Sequence, residues 1–438
     1  MSFLLIAVLI ADFATAAVNW DDMWVKHTLN SAPANWENLG NTTDGSMINF
    51  HIALQPDQES AMIDALFEVS NPSHPRHVLA TTPLAPYSHI PLRFRYGAYL
   101  SQKQVAELVS PHPDTLDLVR AWLTHYGIRP SSISMTHGGS WLTVKDVVVS
   151  QANQILGASY HIYRNSKTND ELIRTVSYAL PAILHAHIRT VAPTTYFPSM
   201  RGMRQPLCSH SVRAAPAQAD VASGNVVKGQ QESVITPSFL RWLYKTESYR
   251  VKGPYRADNR LGILGIDDDY PSPIDLTSFM IKYRTEGIFA RFTVEQVNGG
   301  QYNMNDPFDG ASVAVQYASA MAFPNSVVFY SVGGHTVWAR MGGRPIAGDM
   351  YLEWLNHLLE EASPPPTILI GYGEPELDLP EPYARELCRL FATLGLRGVT
   401  ILVASGWNGV GEEGNCVDAD GRRQFMPEFP ASCTCGIL

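Results

Sequence analysis

From residue 261 to residue 405, short apolar runs alternate with amphipathic stretches, and this alternation constrains the fold more than any other feature of the chain. LGILGI (261–266), FARFTVEQV (289–297), SVVFYSV (326–332), TILIGYG (367–373) and VTILVAS (399–405) read as strands. Between them, residues 275–283, 310–322, 350–362 and 383–395 keep helical spacing. Apolar runs separated by helices cannot pair as hairpins; they need crossovers, and they predict a parallel, doubly wound α/β sheet with helices on both faces. Ligands of such sheets sit beyond the carboxyl ends of the strands. That selects the loops after Ile266, Val332, Tyr372 and Ser405.

Residues 18–197 follow another pattern. Ser101-Gln102-Lys103-Gln104 has capping-box form before a helix with Val105, Leu108 and Val109 on one face. Asp114 is placed to cap the next helix, where Leu116, Val119 and Leu123 keep the period and Gly127 stops it. SISMTHGGSWLTV reads as a hairpin around Gly138-Gly139. A helix through 151–156 follows, then the strands YHIYR and LIRTVSYALP. Helices mixed with antiparallel strands predict an α+β layer fold. Residues 198–233 have no apolar period and are rich in Ala, Ser, Gly, Gln and Pro, which predicts an exposed linker open to proteolysis.

Residues 1–17, MSFLLIAVLIADFATAA, combine an apolar run too short for a bilayer with the small-x-small pattern Ala14-Thr15-Ala16, as a secretory signal does. Secretion permits disulfides, and there are five cysteines: Cys208, Cys388, Cys416, Cys433 and Cys435. Asn41-Thr42-Thr43 is a glycosylation sequon, so Asn41 is a candidate acceptor. A net charge of −9 without a Lys/Arg run gives nucleic acid or an anionic membrane no electrostatic footing.

YGAYLSQKQVAELVSP, THGGSWLTV and VSYALPAILHAHIRTVAPTTYF resemble the activation prodomain of the sedolisin family of secreted serine-carboxyl peptidases. ITPSFLRWLY, FYSVGG, YLEWLNHLL, YGEPE and LRGVTILVASG resemble the start and middle of that family's catalytic domain, in its fungal tripeptidyl-peptidase branch. The resemblance implies a subtilisin-like parallel sheet over 234–438, incomplete at its C-terminus, preceded by a ferredoxin-like prodomain. It also implies a mechanism. A Ser attacks the peptide carbonyl, a Glu takes its proton, an Asp one helical turn along orients the Glu, and a further Asp stabilises the oxyanion.

The matching positions carry other residues. The family's E-A-x-L-D-x-Q-Y helix, anchored on Gln316-Tyr317, places the base on Gly310 and its partner on Ala314; neither side chain moves a proton. The family's S-G-D falls on Ser405-Gly406-Trp407, and an indole has no carboxyl. No G-T-S nucleophile motif occurs within 438 residues, and the family's calcium site lies beyond them, so no metal or cofactor is expected. The family's cysteines also imply a Cys416–Cys433 disulfide. Other residues do not substitute. Asp309 lies about 100° away around the helix and suits an N-cap. Asp267-Asp268-Asp269 reads as a solvated loop at the active end of the sheet. Glu374 and Glu376 match acids that the family keeps outside the chemistry. His335 has no G-x-S-x-G partner, and His185 and His187 read as structural. Gly409, Gly411 and Gly414 match G-x-G-x-x-G, but no amphipathic helix follows, and Glu412 and Glu413 would repel a pyrophosphate.

The chain is therefore expected to be a secreted, monomeric sedolisin-type peptidase homologue. It would meet a polypeptide substrate or a peptidase-like partner and lack the family's catalytic groups. The alternative is an active acid tripeptidyl-peptidase or endopeptidase whose sequence here is incomplete.

Overall fold

The computed structural model describes residues 18–43, 45–71, 97–136, 138–169, 171–198, 201–202, 235–251, 259–266, 269–304, 307, 309–333, 349–406, 422 and 425–433. The first block contains β1 (Met23–Thr28), β2 (Trp36–Asn41), β3 (Met47–Leu54), α1 (Glu59–Ser70), α2 (Gln102–Val109), α3 (Pro113–His125), β4 (Ile133–Met135), β5 (Trp141–Val148), α4 (Val149–Ile155), β6 (His161–Asn165), β7 (Glu171–Arg174), β8 (Ser177–Pro181), β9 (Ile188–Ala192) and β10 (Arg201–Gly202). Its main sheet is antiparallel with the order β4-β5-β3-β9. Chain order β3-α-β4-β5-α4-β9 with that pairing is the split β-α-β arrangement of a ferredoxin-like fold, as the resemblance implied.

Period-two alternation in β3 gives this sheet two different faces. Phe50, Ile52 and Leu54 join Val119, Trp122 and Leu123 of α3 in the block's own core. Ala53, with Trp141 of β5 and Ala192 of β9, instead enters the core of the second block. The expected capping box at Ser101 is present: its hydroxyl accepts from the Gln104 backbone, and Gln104 returns a bond to the Ser101 N–H. At α3 the cap is His112 rather than Asp114; the His112 ring accepts from Asp114 N at 3.2 Å, because Pro113 takes the first helical position.

The second block contains α5 (Pro237–Leu243), β11 (Leu261–Gly265), α6 (Pro273–Tyr283), β12 (Phe292–Val297), α7 (Asp309–Ala322), β13 (Val327–Val332), α8 (Met350–Glu360), β14 (Thr367–Ile370), β15 (Tyr372–Pro375), α9 (Glu381–Leu396), β16 (Thr400–Val403) and β17 (Glu428–Phe429). Five strands form the expected parallel sheet, in the order β12-β13-β11-β14-β16. Helices α6 and α7 pack on one face, around Ile263, Val327 and Phe329. Helices α8 and α9 pack on the other, around Leu264, Val328, Tyr330 and Ile368.

This arrangement fixes the relative hand of the crossovers. From β11 to β12 the chain moves one way along the sheet, and from β12 to β13 it moves back, yet α6 and α7 share a face. These two crossovers therefore have opposite hands. The remaining two, through α8 and α9, move in the second direction on the opposite face, so they share the hand of the first. Right-handed crossovers make up about 98% of such connections. The α7 crossover is thus the exceptional one, and α7 is the helix on which the sequence placed Gly310 and Ala314.

Two expectations need correction. Cys433 pairs with Cys388 of α9, not with Cys416. Spacing along the chain could not reveal that the segment carrying Cys433 returns to α9. Arg201–Gly202, inside the span 198–233 read as linker, pair with Tyr372–Gly373 as β10 of the small β10-β15-β17 sheet. Among the described residues, no helix is long and apolar enough to cross a membrane.

Candidate functional site

The carboxyl ends of β11, β13, β14 and β16 open toward one side of the sheet, and α7 begins there. The Ser312 hydroxyl near its start accepts from Ser272 N at 3.1 Å, fixing α7 to the beginning of α6. Gly310 is exposed and Ala314 half-buried, one turn apart. They offer no titratable or nucleophilic atom. Asp309 is the first residue of the helix. Beyond β16, Gly406 takes φ +84°, a left-handed conformation that favours glycine, and an added Cβ would lie 2.9 Å from Glu428 Cγ. The next residue, Trp407, lies outside the described residues, as do Asp267, Asp268, His335, Gly409, Gly411, Gly414, Cys208, Cys416 and Cys435.

Three acids near these strand ends are almost fully buried, and each accepts a tyrosine hydroxyl. Tyr372 O–H donates to Asp269 Oδ2 at 3.1 Å. Tyr383 O–H donates to Asp349, whose other oxygen accepts from Leu352 N at 3.1 Å and caps α8. Tyr196 O–H, from the first block, donates to Glu374 Oε1 at 2.5 Å. Burial raises the Asp349 carboxyl above its ordinary value and, with the neighbouring carboxylates, holds the Tyr196 and Tyr383 hydroxyls well above theirs. The Tyr196 and Tyr383 hydroxyls therefore stay protonated near neutral pH and below, and donate to their acids. Arg174, also buried, donates from Nε to Tyr196 O at 2.7 Å and from Nη1 to Ile173 O at 2.9 Å. Sequence reading set Glu374 aside and missed Tyr196, Asp349, Tyr383 and Arg174. Only Asp349 left a local signal, as a capping residue directly before the MYLEWL helix.

Charges also join the two blocks along α8 and α9. Arg189 Nη2 lies 2.6 Å from Glu59 Oε2 and its Nη1 3.0 Å from Glu386 Oε1, while Arg389 also pairs with both acids. His51, buried in β3, holds Thr143 Oγ1 at 2.9 Å with one ring nitrogen and Glu353 Oε1 of α8 at 3.2 Å with the other. Burial works to raise the Glu353 carboxyl, but the hydrogen bond and charge of His51 outweigh it and hold it below the ordinary 4.5. Burial at Glu59 is likewise outweighed, by Arg189 and Arg389. An acid depressed in the folded state adds stability above its unfolded pKa, and this is lost as pH falls through the folded value. Glu386 and Asp349, raised by burial, change in the opposite sense. The clean measurement is therefore a difference. Denaturant midpoints taken downward from pH 4.5 are expected to fall less steeply in Glu353→Gln than in the unaltered protein. Parallel slopes would show that the His51–Glu353 contact contributes nothing to acid sensitivity.

His185 and His187 are structural, as expected. His185 Nε2 lies 3.1 Å from Trp24 O, and His187 Nδ1 lies 2.8 Å from Thr115 Oγ1. Glu376 begins a short turn after β15 and is exposed. Asn41 is exposed at the end of β2.

The ferredoxin-like block thus packs along α8 and α9 of the parallel α/β region, and its Ala53, Trp141, Ala192 and Tyr196 complete that region's core. Residues 88–197 match the family described as Pro-kumamolisin, activation domain. The chain is 26% identical over 437 residues to tripeptidyl-peptidase SED2 of Arthroderma otae, covering 97% of this chain and 68% of the relative. It is 28% identical to tripeptidyl-peptidase SED4 of the same organism, covering 94% and 64%. It is 31% identical over 348 residues to probable tripeptidyl-peptidase SED3 of Arthroderma benhamiae, covering 77% and 56%. The chain thus spans between 56% and 68% of the length of these relatives. Over most of its length the chain is similar to tripeptidyl-peptidases of the sedolisin family, with a match to the activation domain ahead of a homologous α/β region.

Proposed function

We propose that this protein is a secreted sedolisin-type peptidase homologue that engages polypeptide at its strand-end face without cleaving it by the family mechanism. One observation carries the reading. The two positions of α7 that the Gln316-Tyr317 anchor assigns to the proton-transferring pair are Gly310 and Ala314, correctly spaced along one helix face and devoid of acid. Trp407, where the family's S-G-D places an acid, points the same way. Asp269, Asp349 and Glu374 do not replace them, because each is committed to a tyrosine hydroxyl. The Cys388–Cys433 disulfide and the signal-like residues 1–17 support an oxidising, extracytoplasmic setting.

The test is a peptidase assay of the purified full chain at acid pH, with unfolded protein and with tripeptide reporters. Loss of one member of such a catalytic unit already lowers kcat by about 10⁴-fold or more. Turnover is expected to remain at background, and the activation domain to remain attached in a protease-free preparation. Turnover abolished by a serine-directed inhibitor would overturn the reading in favour of an active acid peptidase.

A further inference from the structure

A cluster of metal-ligating side chains lies apart from the α7 face. Glu295 sits on the edge strand β12, in register with Tyr330 of β13, on the side of the sheet that α8 covers. His357 and Glu361 lie one turn apart at the C-terminal end of α8. His357 Nε2 is 3.4 Å from Glu295 Oε2 and 3.5 Å from Glu361 Oε1, and the three ligand atoms lie within 4.8 Å of one another. Those separations are long for N–H···O hydrogen bonds, which centre near 2.9 Å. They match the edge of a ligand tetrahedron, about 3.4 Å when each ligand is about 2.1 Å from the centre.

The surroundings suit an ion with an open position. The His357 and Glu295 side chains are 36% and 35% exposed and that of Glu361 is 16% exposed, so solvent reaches one side. Tyr330 O–H donates to Glu361 Oε1 at 2.8 Å and orients that carboxylate, leaving Oε2 without that bond. Two guanidinium groups lie nearby: Arg397, which donates from Nη2 to Glu361 O at 2.7 Å and feels the Glu361 carboxylate, and Arg260. The Arg260 guanidinium stays 3.7 Å from both carboxylates and gives its close hydrogen bond, 2.9 Å, to Ser363 O. Neither guanidinium forms a close ion pair with the two carboxylates: Arg260 stays at 3.7 Å and Arg397 gives its close hydrogen bonds to backbone carbonyls.

We propose that Glu295, His357 and Glu361 form a site for a divalent transition-metal ion of the zinc class, which joins the edge strand β12 to the end of α8. One imidazole with two carboxylates favours zinc or cobalt over calcium, which takes six to eight oxygens. This departs from the expectation of no metal and concerns a face away from Gly310 and Ala314.

The test uses untagged, chelator-stripped full chain titrated with Co²⁺. Visible absorption of a four- or five-coordinate Co²⁺ ion is expected to appear, to be bleached by Zn²⁺, and to be lost in His357→Gln. Zn²⁺ is expected to raise the thermal midpoint, and Ca²⁺ at equal concentration to leave it unchanged. Removing a competing cation in Arg260→Gln is expected to tighten Co²⁺ binding about 5- to 10-fold. Glu295→Gln, on the exposed edge strand, provides a second ligand variant should His357→Gln fold poorly; it is expected to weaken binding as well. Absence of both the Co²⁺ bands and the Zn²⁺ shift in the unaltered protein overturns the proposal. So does Co²⁺ binding that survives both ligand substitutions, an equal shift with Ca²⁺, or weaker binding in Arg260→Gln.

Discussion

Trp354→Ala is expected to destabilise the protein by about 3–5 kcal/mol, whereas Trp354→Phe changes stability by about 1 kcal/mol or less. Trp354 is fully buried in α8, between the parallel sheet and the first block, with its ring 6.3 Å from that of Tyr330 in an edge-on arrangement. Truncation to alanine opens a large cavity in the core that both blocks share. The contrast with phenylalanine arises from the indole N–H, which has no hydrogen-bond partner among the described residues. An unsatisfied buried donor costs about 1–3 kcal/mol, and phenylalanine removes it while keeping most of the apolar volume. Urea denaturation midpoints of the two variants decide the matter. Equal losses in both would mean that shape alone fixes this position and that the indole nitrogen carries no penalty.

Cys388→Ser is expected to lower stability by up to about 4 kcal/mol, because it opens a loop of 45 residues. The bond joins α9 to the segment that carries β17, and β17 pairs with β15 directly beside Glu374. Loss of the crosslink therefore loosens the edge of the strand-end face as well as the unfolded-state constraint. Cys416→Ser is expected to leave the Cys388–Cys433 bond intact and stability within about 0.5 kcal/mol. Peptide mapping without reduction should recover the 388 and 433 fragments together. Recovery of Cys433 joined to Cys416 would restore the pairing that the family's cysteines implied.

The parallel sheet was legible because strands covered on both faces are apolar along their whole length, and 327–332, buried at every position, is the clearest case. Boundaries were less legible. FARFTVEQV begins as a strand only at Phe292, since Phe289 is exposed, and TILIGYG is interrupted at Gly371 into β14 and β15. LIRTVSYALP reads as one strand but forms two, and β7 pairs with β6 while β8 pairs with β1. Local pattern records which residues are apolar, not which strand lies beside them. The Gln316-Tyr317 register put Gly310 and Ala314 one turn apart on one helix, and α7 carries them so, because helix spacing converts sequence directly into position on a face.

The sequence by itself determined the two-block organisation, the parallel sheet and the absence of acids at Gly310 and Ala314. All of these depend on residues close in the chain. The tertiary structure alone decided that Cys433 meets Cys388, that Tyr196 closes on Glu374 across 178 positions, and that Arg189 lies between Glu59 and Glu386. It also brought Glu295 within reach of His357 and Glu361. Each of these contacts joins segments brought together by a crossover or by the docking of one block on the other. Such closeness results from burial of the shared core, and no periodicity in the chain encodes it.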